Sequence, residues 1–167
     1  MNVSNIKISI HFQDDCFQKL HTNEKIIFKE KKWSIIHYIH SPRIVNVTGI
    51  KSEEEISQVI QFLERKYNNK CIKHQIDSIM ITHKDYKSIQ MIDIINNLKS
   101  ITNLYYADYN PELFTGIYLK PYDRTYPTVN MFYTGSFQLL GGKSFEKIHI
   151  TFNIIKKLIE KCENVNY

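Results

Sequence analysis

Glycine and proline are scarce, at five and four of 167 residues. That excludes a collagen-like or low-complexity chain and leaves no linker longer than a few residues. One packed domain, or two half-domains sharing a sheet, is expected. Cysteine is limited to Cys16, Cys71 and Cys162, too dispersed for a disulfide framework and suited to a reducing compartment. No apolar run approaches a membrane helix in length, and the N-terminus lacks the apolar stretch of a secretory signal, so no membrane partner is expected. Nor is there an excess of one charge. The net charge is +5, with 10 basic and 8 acidic residues in 1–69 and 12 basic and 9 acidic in 70–167. This permits nucleic-acid binding without demanding it. The abundance of Ile, Lys, Asn and Tyr fits an AT-rich coding genome and carries little functional weight.

Catalytic signatures are also missing. The chain has no glycine-rich phosphate loop, no paired catalytic carboxylates and no nucleophile–base spacing. His37 and His40 are three apart, and in a strand they fall on opposite sides, which denies them a shared zinc ion. The expectation is a protein that is not an enzyme and takes no cofactor or metal.

What is present is an internal repeat. KSEEEISQVIQFLERKY begins at Lys51, and KSFEKIHITFNIIKKLI begins at Lys143, 92 residues later. Each follows a strand-like run ending in glycine, RIVNVTGI and FQLLGG. Ile56, Ile60, Leu63 and Tyr67 are echoed by Ile148, Phe152, Ile155 and Ile159, so two copies of one strand–turn–helix unit are expected. Ser52 and Glu55 form a capping box, and Glu53 and Glu54 suit the positive end of the helix they open.

Residues 6–12 alternate as a half-buried strand, with Ile6, Ile8 and Ile10 on one face and Lys7, Ser9 and His11 on the other. DDCFQKL suits a single helical turn. EKIIFKEK, WSIIHYIH and RIVNVTGI read as strands, with Ser41-Pro42 as a turn. In the second half, IDSIMIT is a strand, KSIQMIDIINNL a helix, and ELFTGIYLK, TVNMFYT and SFQLLGG three more strands. The C-terminal helix runs to about Cys162. The order predicts an α+β fold, a curved antiparallel sheet with helices on one face. Period-two alternation then leaves Asn130, Phe132, Gln138 and Leu140 on the uncovered face, a mixed surface suited to binding.

YNPELFTGIYLK, TVNMFYTG, FQLLGGKSFEKI and VNVTGIKSEEE resemble the TATA-box-binding protein family. The resemblance covers nearly the whole chain, is strongest over 105–160, and divides it into repeats at 1–69 and 70–167. It implies a saddle whose concave sheet lies on the DNA minor groove and whose helices occupy the convex side. In that family phenylalanine pairs wedge between base steps, and the second-repeat pair falls on Phe114 and Phe132. Groove contacts carry over to Asn5, Thr48, Ile79, Ile81, Asn130, Gln138 and Leu140. Asp77 stands as the second-repeat match of Asn5, where an ionised carboxylate cannot donate to adenine N3 or thymine O2. Lys29, Lys51, Lys120 and Lys143 match phosphate-gripping positions. Ser136 replaces a further basic residue, and Arg43 serves its first-repeat equivalent.

The resemblance also implies partners. Glu112 and Leu113 stand where the family docks transcription factor IIB, though an expected glutamate there is Asn110. The segment around His21 and Asn23, which would meet transcription factor IIA, is shortened, so a IIB-like partner and the RNA polymerase machinery are expected ahead of a IIA-like one. Counting back from Thr48 puts the first-repeat wedges near Asn23 and His40, neither of them aromatic. Divergence and compactness suggest a specialised, viral-type homologue acting in a nucleus or a cytoplasmic virus factory. The rival reading is the same fold kept as a protein-interaction module without DNA binding, favoured by Lys7, Asp77 and the missing first-repeat wedges.

Overall fold

The computed structural model describes residues 2–16, 25–30, 32–38, 40–85 and 88–163. The chain divides into two compact units, residues 5–78 (the N-terminal unit) and residues 1–4 with 79–167 (the C-terminal unit). It passes from one to the other within β1 (Val3–Phe12) and within β5 (Cys71–His83).

The N-terminal unit pairs β2 (Lys25–Glu30), β3 (Trp33–Tyr38), β4 (Ile44–Ile50) and β1 in that order, all antiparallel. Alternation assigns the faces. Ile6, Ile8, Ile10, Phe12, Trp33, Ile35, Val45, Val47 and Ile50 are buried, and α1 (Glu53–Tyr67) lies over them with Ile56, Val59 and Leu63 inward. Trp33 meets Phe62 at 6.0 Å between ring centroids, and Phe12 meets Tyr67 at 5.9 Å. Each such aliphatic side chain contributes about 1.5–3 kcal/mol on burial.

The helix starts as its sequence dictates. Ser52 Oγ accepts from Glu55 N at 3.3 Å, and Glu55 Oε2 accepts from Lys51 N at 3.1 Å. Glu55 also pairs with the Lys32 ammonium. Asn68, left-handed at φ 46°, ends the helix.

The C-terminal unit pairs the end of β5 with β9 (Phe137–Gly142), then β8 (Thr128–Phe132), β7 (Gly116–Pro121) and β6 (Tyr105–Asp108). Ile79, Ile81, Ile117, Leu119, Val129, Met131, Phe137 and Leu139 form its covered face. α2 (Met91–Ile101) and α3 (Phe145–Glu163) supply the cover. Phe152 packs against His83 and Phe137, and the Tyr105 hydroxyl lies 2.6 Å from Thr151 Oγ1.

Both units carry the same irregularity. Ile6 and Ile8 pair with Ile50 and Val47, while Ile79 and Ile81 pair with Gly142 and Leu139, so one extra residue is accommodated on β4 and on β9. Gly49 (φ 94°) and Gly141 (φ 78°) absorb it in a left-handed conformation that suits glycine.

Two sequence expectations change. β6 has only four residues and no readable alternation, and it was not anticipated. ELFTGIYLK is not strand throughout: residues 111–113 form a turn, and β7 begins at Gly116. The proposed helical turn at DDCFQKL extends outside the described residues.

Candidate nucleic-acid interface

Each unit leaves one sheet face without helices. In the N-terminal unit that face carries Ser9, Asn46 and Ile36 in one register row, with Thr48 opposite Ser34. In the C-terminal unit the corresponding row is Thr82, Gln138, Asn130 and Tyr118, with Leu140 opposite Thr128. Asn130, Phe132, Gln138 and Leu140 therefore lie on the face that alternation predicted.

Phe114 and Phe132 come together there, ring centroids 5.6 Å apart and edge to face. Phe114 also stacks on Tyr118 at 4.4 Å. Both phenylalanines are half-buried. Glycine makes this possible: a Cβ at Gly116 would sit 2.8 Å from Phe114 Cε1 and collide with the Met131 carbonyl oxygen. Asn130 lies one row inward, and its Oδ1 is buried without a hydrogen-bond partner among the described residues. Tyr118 is a member of this cluster that the sequence reading missed, although YLK alternation puts it on the same face as Lys120.

Three sequence assignments need correction. Ile79 and Ile81 are fully buried on the helix-covered face, because their apolar side chains complete the core, and they do not reach the open face. Asp77 is not the counterpart of Asn5. Ile79 holds the register that Ile6 holds, so Asn5 corresponds to Ser78. Finally, the counterpart of Phe132 is Tyr38, not His40. His37 pairs with Val45, and Met131 with Phe137, so the turn between β3 and β4 is two residues longer than its C-terminal equivalent. Counting back from Thr48 ignores that insertion. Tyr38 is 40% exposed. Asn23 lies outside the described residues.

Asn5 has a fixed orientation. Its Oδ1 accepts from Gly49 N at 2.7 Å, which ties the amide to the bulge and sets Nδ2, a donor, at the other end. A neighbouring cluster was not anticipated as a unit. Ser9 (7% exposed) lies 2.9 Å from Asn46 Oδ1 and 2.5 Å from Asp77 Oδ2, and Asn46 is 8% exposed. Gln75 Nε2 donates to Asp77 Oδ1 at 3.0 Å.

The basic residues divide. Lys51 and Lys143 are exposed at corresponding positions just before α1 and α3. Lys120 pairs with Asp108, and hydrogen bonding to that carboxylate raises its pKa. Lys29, on β2, pairs in register with Ser34 of β3. Arg43 Nε donates to Asp15 Oδ1 at 3.1 Å, which occupies it with a carboxylate.

Glu112 and Leu113 project from a turn in which Asn110 Oδ1 accepts from Glu112 N, and Asn110 O from Leu113 N and Phe114 N. Leu113 is 84% exposed. Beside it a cleft of about 230 Å³ is lined by Asp108, Asn110, Leu113, Phe114, Tyr118 and Lys120. Among the described residues no group of three or more His, Cys, Asp or Glu side chains is placed to hold a metal ion. No described helix is long and apolar enough to cross a membrane.

Comparison with known proteins agrees with this architecture. The family model for transcription factor TFIID (or TATA-binding protein, TBP) matches residues 88–162. The solved TBP of Methanococcus jannaschii has a TM-score of 0.63 with this chain at 18% identity, covering 95% of this chain and 97% of that one. No curated protein sequence matches. The class is thereby defined: the chain has the α+β fold of TATA-binding protein, and its C-terminal part matches the sequence model of that family.

Proposed function

We propose that this protein is a TATA-binding-protein-like initiation factor that binds and bends the minor groove of AT-rich promoter DNA through its helix-free faces. The observation that carries the reading is the Phe114–Phe132 pair, two half-buried rings 5.6 Å apart on an open sheet face, edged by Asn130 and Gln138. Such rings cost little to desolvate and replace part of the stacking that a kinked base step loses. Amides beside them can address the acceptors of the groove floor. Lys51, Lys143, Lys120 and Lys29 supply the phosphate contacts that set register without reading sequence.

On the same reading Glu112, Leu113 and the adjoining cleft receive a IIB-like factor, which in turn brings the polymerase. The protein acts wherever its promoters are transcribed, a nucleus or, for a virus-encoded homologue, a cytoplasmic factory.

Gel shifts on AT-rich and GC-rich duplexes at two salt concentrations test this. Groove recognition gives a sequence preference that persists as salt rises, whereas phosphate-only binding fades without preference. A second reading, a protein-interaction module that has lost DNA binding, is favoured by Asp77 on the open face and by the pairing of Lys120 with Asp108 and of Arg43 with Asp15. Absence of binding to either duplex at low salt would support it.

A further inference from the structure

The two units are built from unequal lengths of chain. In each sheet the strand before the helix, β4 or β9, is followed outward by β3 and β2 or by β8 and β7, so β2 is the counterpart of β7. Residues 84–115 separate β5 from β7 and hold α2 and β6, whereas only residues 13–24 separate β1 from β2. Those twelve positions cannot hold an eleven-residue helix and a four-residue strand with their turns. The N-terminal unit therefore has no counterpart of α2 and β6 among its described residues.

In the C-terminal unit these two elements close one flank of α3. Asn97 Nδ2 lies 3.9 Å from Cys162 Sγ, Lys161 Nζ donates to Ser100 Oγ at 2.7 Å, and Leu158 and Cys162 are buried. The Tyr105 hydroxyl of β6 donates to Pro127 O at 3.0 Å, and Trp33 is the residue that holds Pro127's register in the other unit. Ninety-two residues before Leu158 and Cys162 stand Lys66 and Lys70, both exposed, while Ile56 and Leu63 keep the buried places of Ile148 and Ile155. Along this flank of α1 runs a groove of about 530 Å³ lined by Trp33, Gln58, Gln61, Phe62, Arg65 and Lys66. Its floor is aromatic, the half-buried Phe62 lying 6.0 Å from Trp33. Its rim is cationic, with Arg65 exposed and the Lys66 ammonium 5.5 Å from the Phe62 ring centroid. Glu64, on the opposite side of the helix from Phe62, accepts from Cys71 N at 3.0 Å.

The other unit shows what such a place accommodates: a three-turn amphipathic helix whose buried residues are Met91, Ile94 and Leu98. An aromatic floor takes an apolar helix face of that kind, and a rim of Arg and Lys selects carboxylates along its sides. We propose that the groove beside α1 receives an acidic amphipathic helix of a partner protein, seated as α2 is seated against α3. Its apolar stripe covers Phe62, and its Asp or Glu side chains meet Arg65 and Lys66. The groove lies on the helix-covered side of the N-terminal unit, so the inference stands whether or not the open face binds DNA.

The test is selection of displayed helical peptides against the full chain, followed by fluorescence anisotropy of the selected peptide. The expected binder carries apolar residues at the spacing of Met91, Ile94 and Leu98, flanked by Asp and Glu. Arg65→Glu should weaken it on the order of tenfold, and changing the peptide's acidic residues to Lys should restore affinity for that variant. Phe62→Ser should abolish binding, and Tyr38→Ala, on the open face, should leave it unchanged. Arg65 is exposed, so its variant decides the matter even if Phe62→Ser does not fold. A selection that yields no binder sensitive to Arg65→Glu overturns the inference. A dimer of the chain alone, seen by sedimentation and dissociated by Arg65→Glu, assigns the groove to a second copy and overturns it as well.

Discussion

Tyr38 in the N-terminal unit occupies the register position that Phe132 holds in the C-terminal unit: each directly follows the residue, His37 or Met131, that pairs with the first core position of the next strand. Both are aromatic, and both lie on the helix-free face. The N-terminal face is therefore not without a wedge candidate. It carries a phenol where the C-terminal face carries a clustered phenylalanine pair. The phenol keeps a hydroxyl that must be desolvated or bonded on insertion. The two halves should consequently kink DNA unequally.

Phe132→Ala is expected to remove most of the bend and to weaken binding on the order of tenfold, roughly 1.4 kcal/mol. Tyr38→Ala should reduce bending by less. Bend angles from energy transfer across end-labelled duplexes check the order. An effect of Tyr38→Ala larger than that of Phe132→Ala would contradict it.

Asn130→Leu separates folding from recognition. Its Oδ1 is buried without a partner among the described residues, so replacing the amide by an apolar group of similar size is expected to leave stability unchanged or slightly raised. Affinity for the preferred duplex should fall several-fold, about 1 kcal/mol. Urea unfolding and anisotropy on the same sample measure the two effects.

Gly116→Ala should be costly in both respects. The new methyl group meets the fixed Met131 carbonyl oxygen and the Phe114 ring. About 1–3 kcal/mol of stability is expected to go, with Phe114 displaced from Tyr118. Denaturant midpoints give the first quantity. Loss of bending that exceeds the loss of binding reports the second.

Asp108→Asn releases Lys120 from its ion pair. If Lys120 grips phosphate, the variant binds duplex more tightly at low salt, and the slope of log affinity against log salt steepens by up to about one unit. An unchanged slope would show that Lys120 stays away from the backbone.

Acid stability follows from His37. The ring is buried under α1, with Nε2 2.8 Å from the Tyr67 hydroxyl. Burial, and to a smaller extent the nearby Lys66 charge, lowers its pKa from 6.5 to about 4. Between these values the unfolded chain holds more protons than the folded one, so stability rises with pH across that window. The contribution is complete above 6.5 and is lost as pH falls toward 4, up to about 3 kcal/mol. Melts of wild type and His37→Gln between pH 4 and 7 should diverge, with the variant showing the flatter profile.

Much of this was readable in the chain. The 92-residue recurrence of Lys-Ser before an amphipathic helix located α1 and α3, and alternation in TVNMF and FQLL assigned both faces of β8 and β9. Four features resisted. The first half of β5 is exposed over residues 72–75 and so shows no buried period to mark it as strand. Ile79 and Ile81 look like groove residues by alignment, yet only the shared bulge register reveals that they face the helices. The extra residues between β3 and β4 shift any count made from Thr48, which hid Tyr38 behind His40. Side-chain direction in Ser9, Asn46 and Asp77 depends on strands distant in sequence, and no local pattern records it.

The central claim is that the helix-free faces bind and deform AT-rich duplex through the Phe114–Phe132 pair. The most direct measurement is the bend angle of a doubly labelled TATA-containing duplex with wild-type protein and with Phe132→Ala, under saturating conditions for each. A pronounced bend with wild type that mostly disappears in the variant is the predicted result. Wild-type binding that leaves the duplex straight, or a bend that survives the substitution, would contradict it.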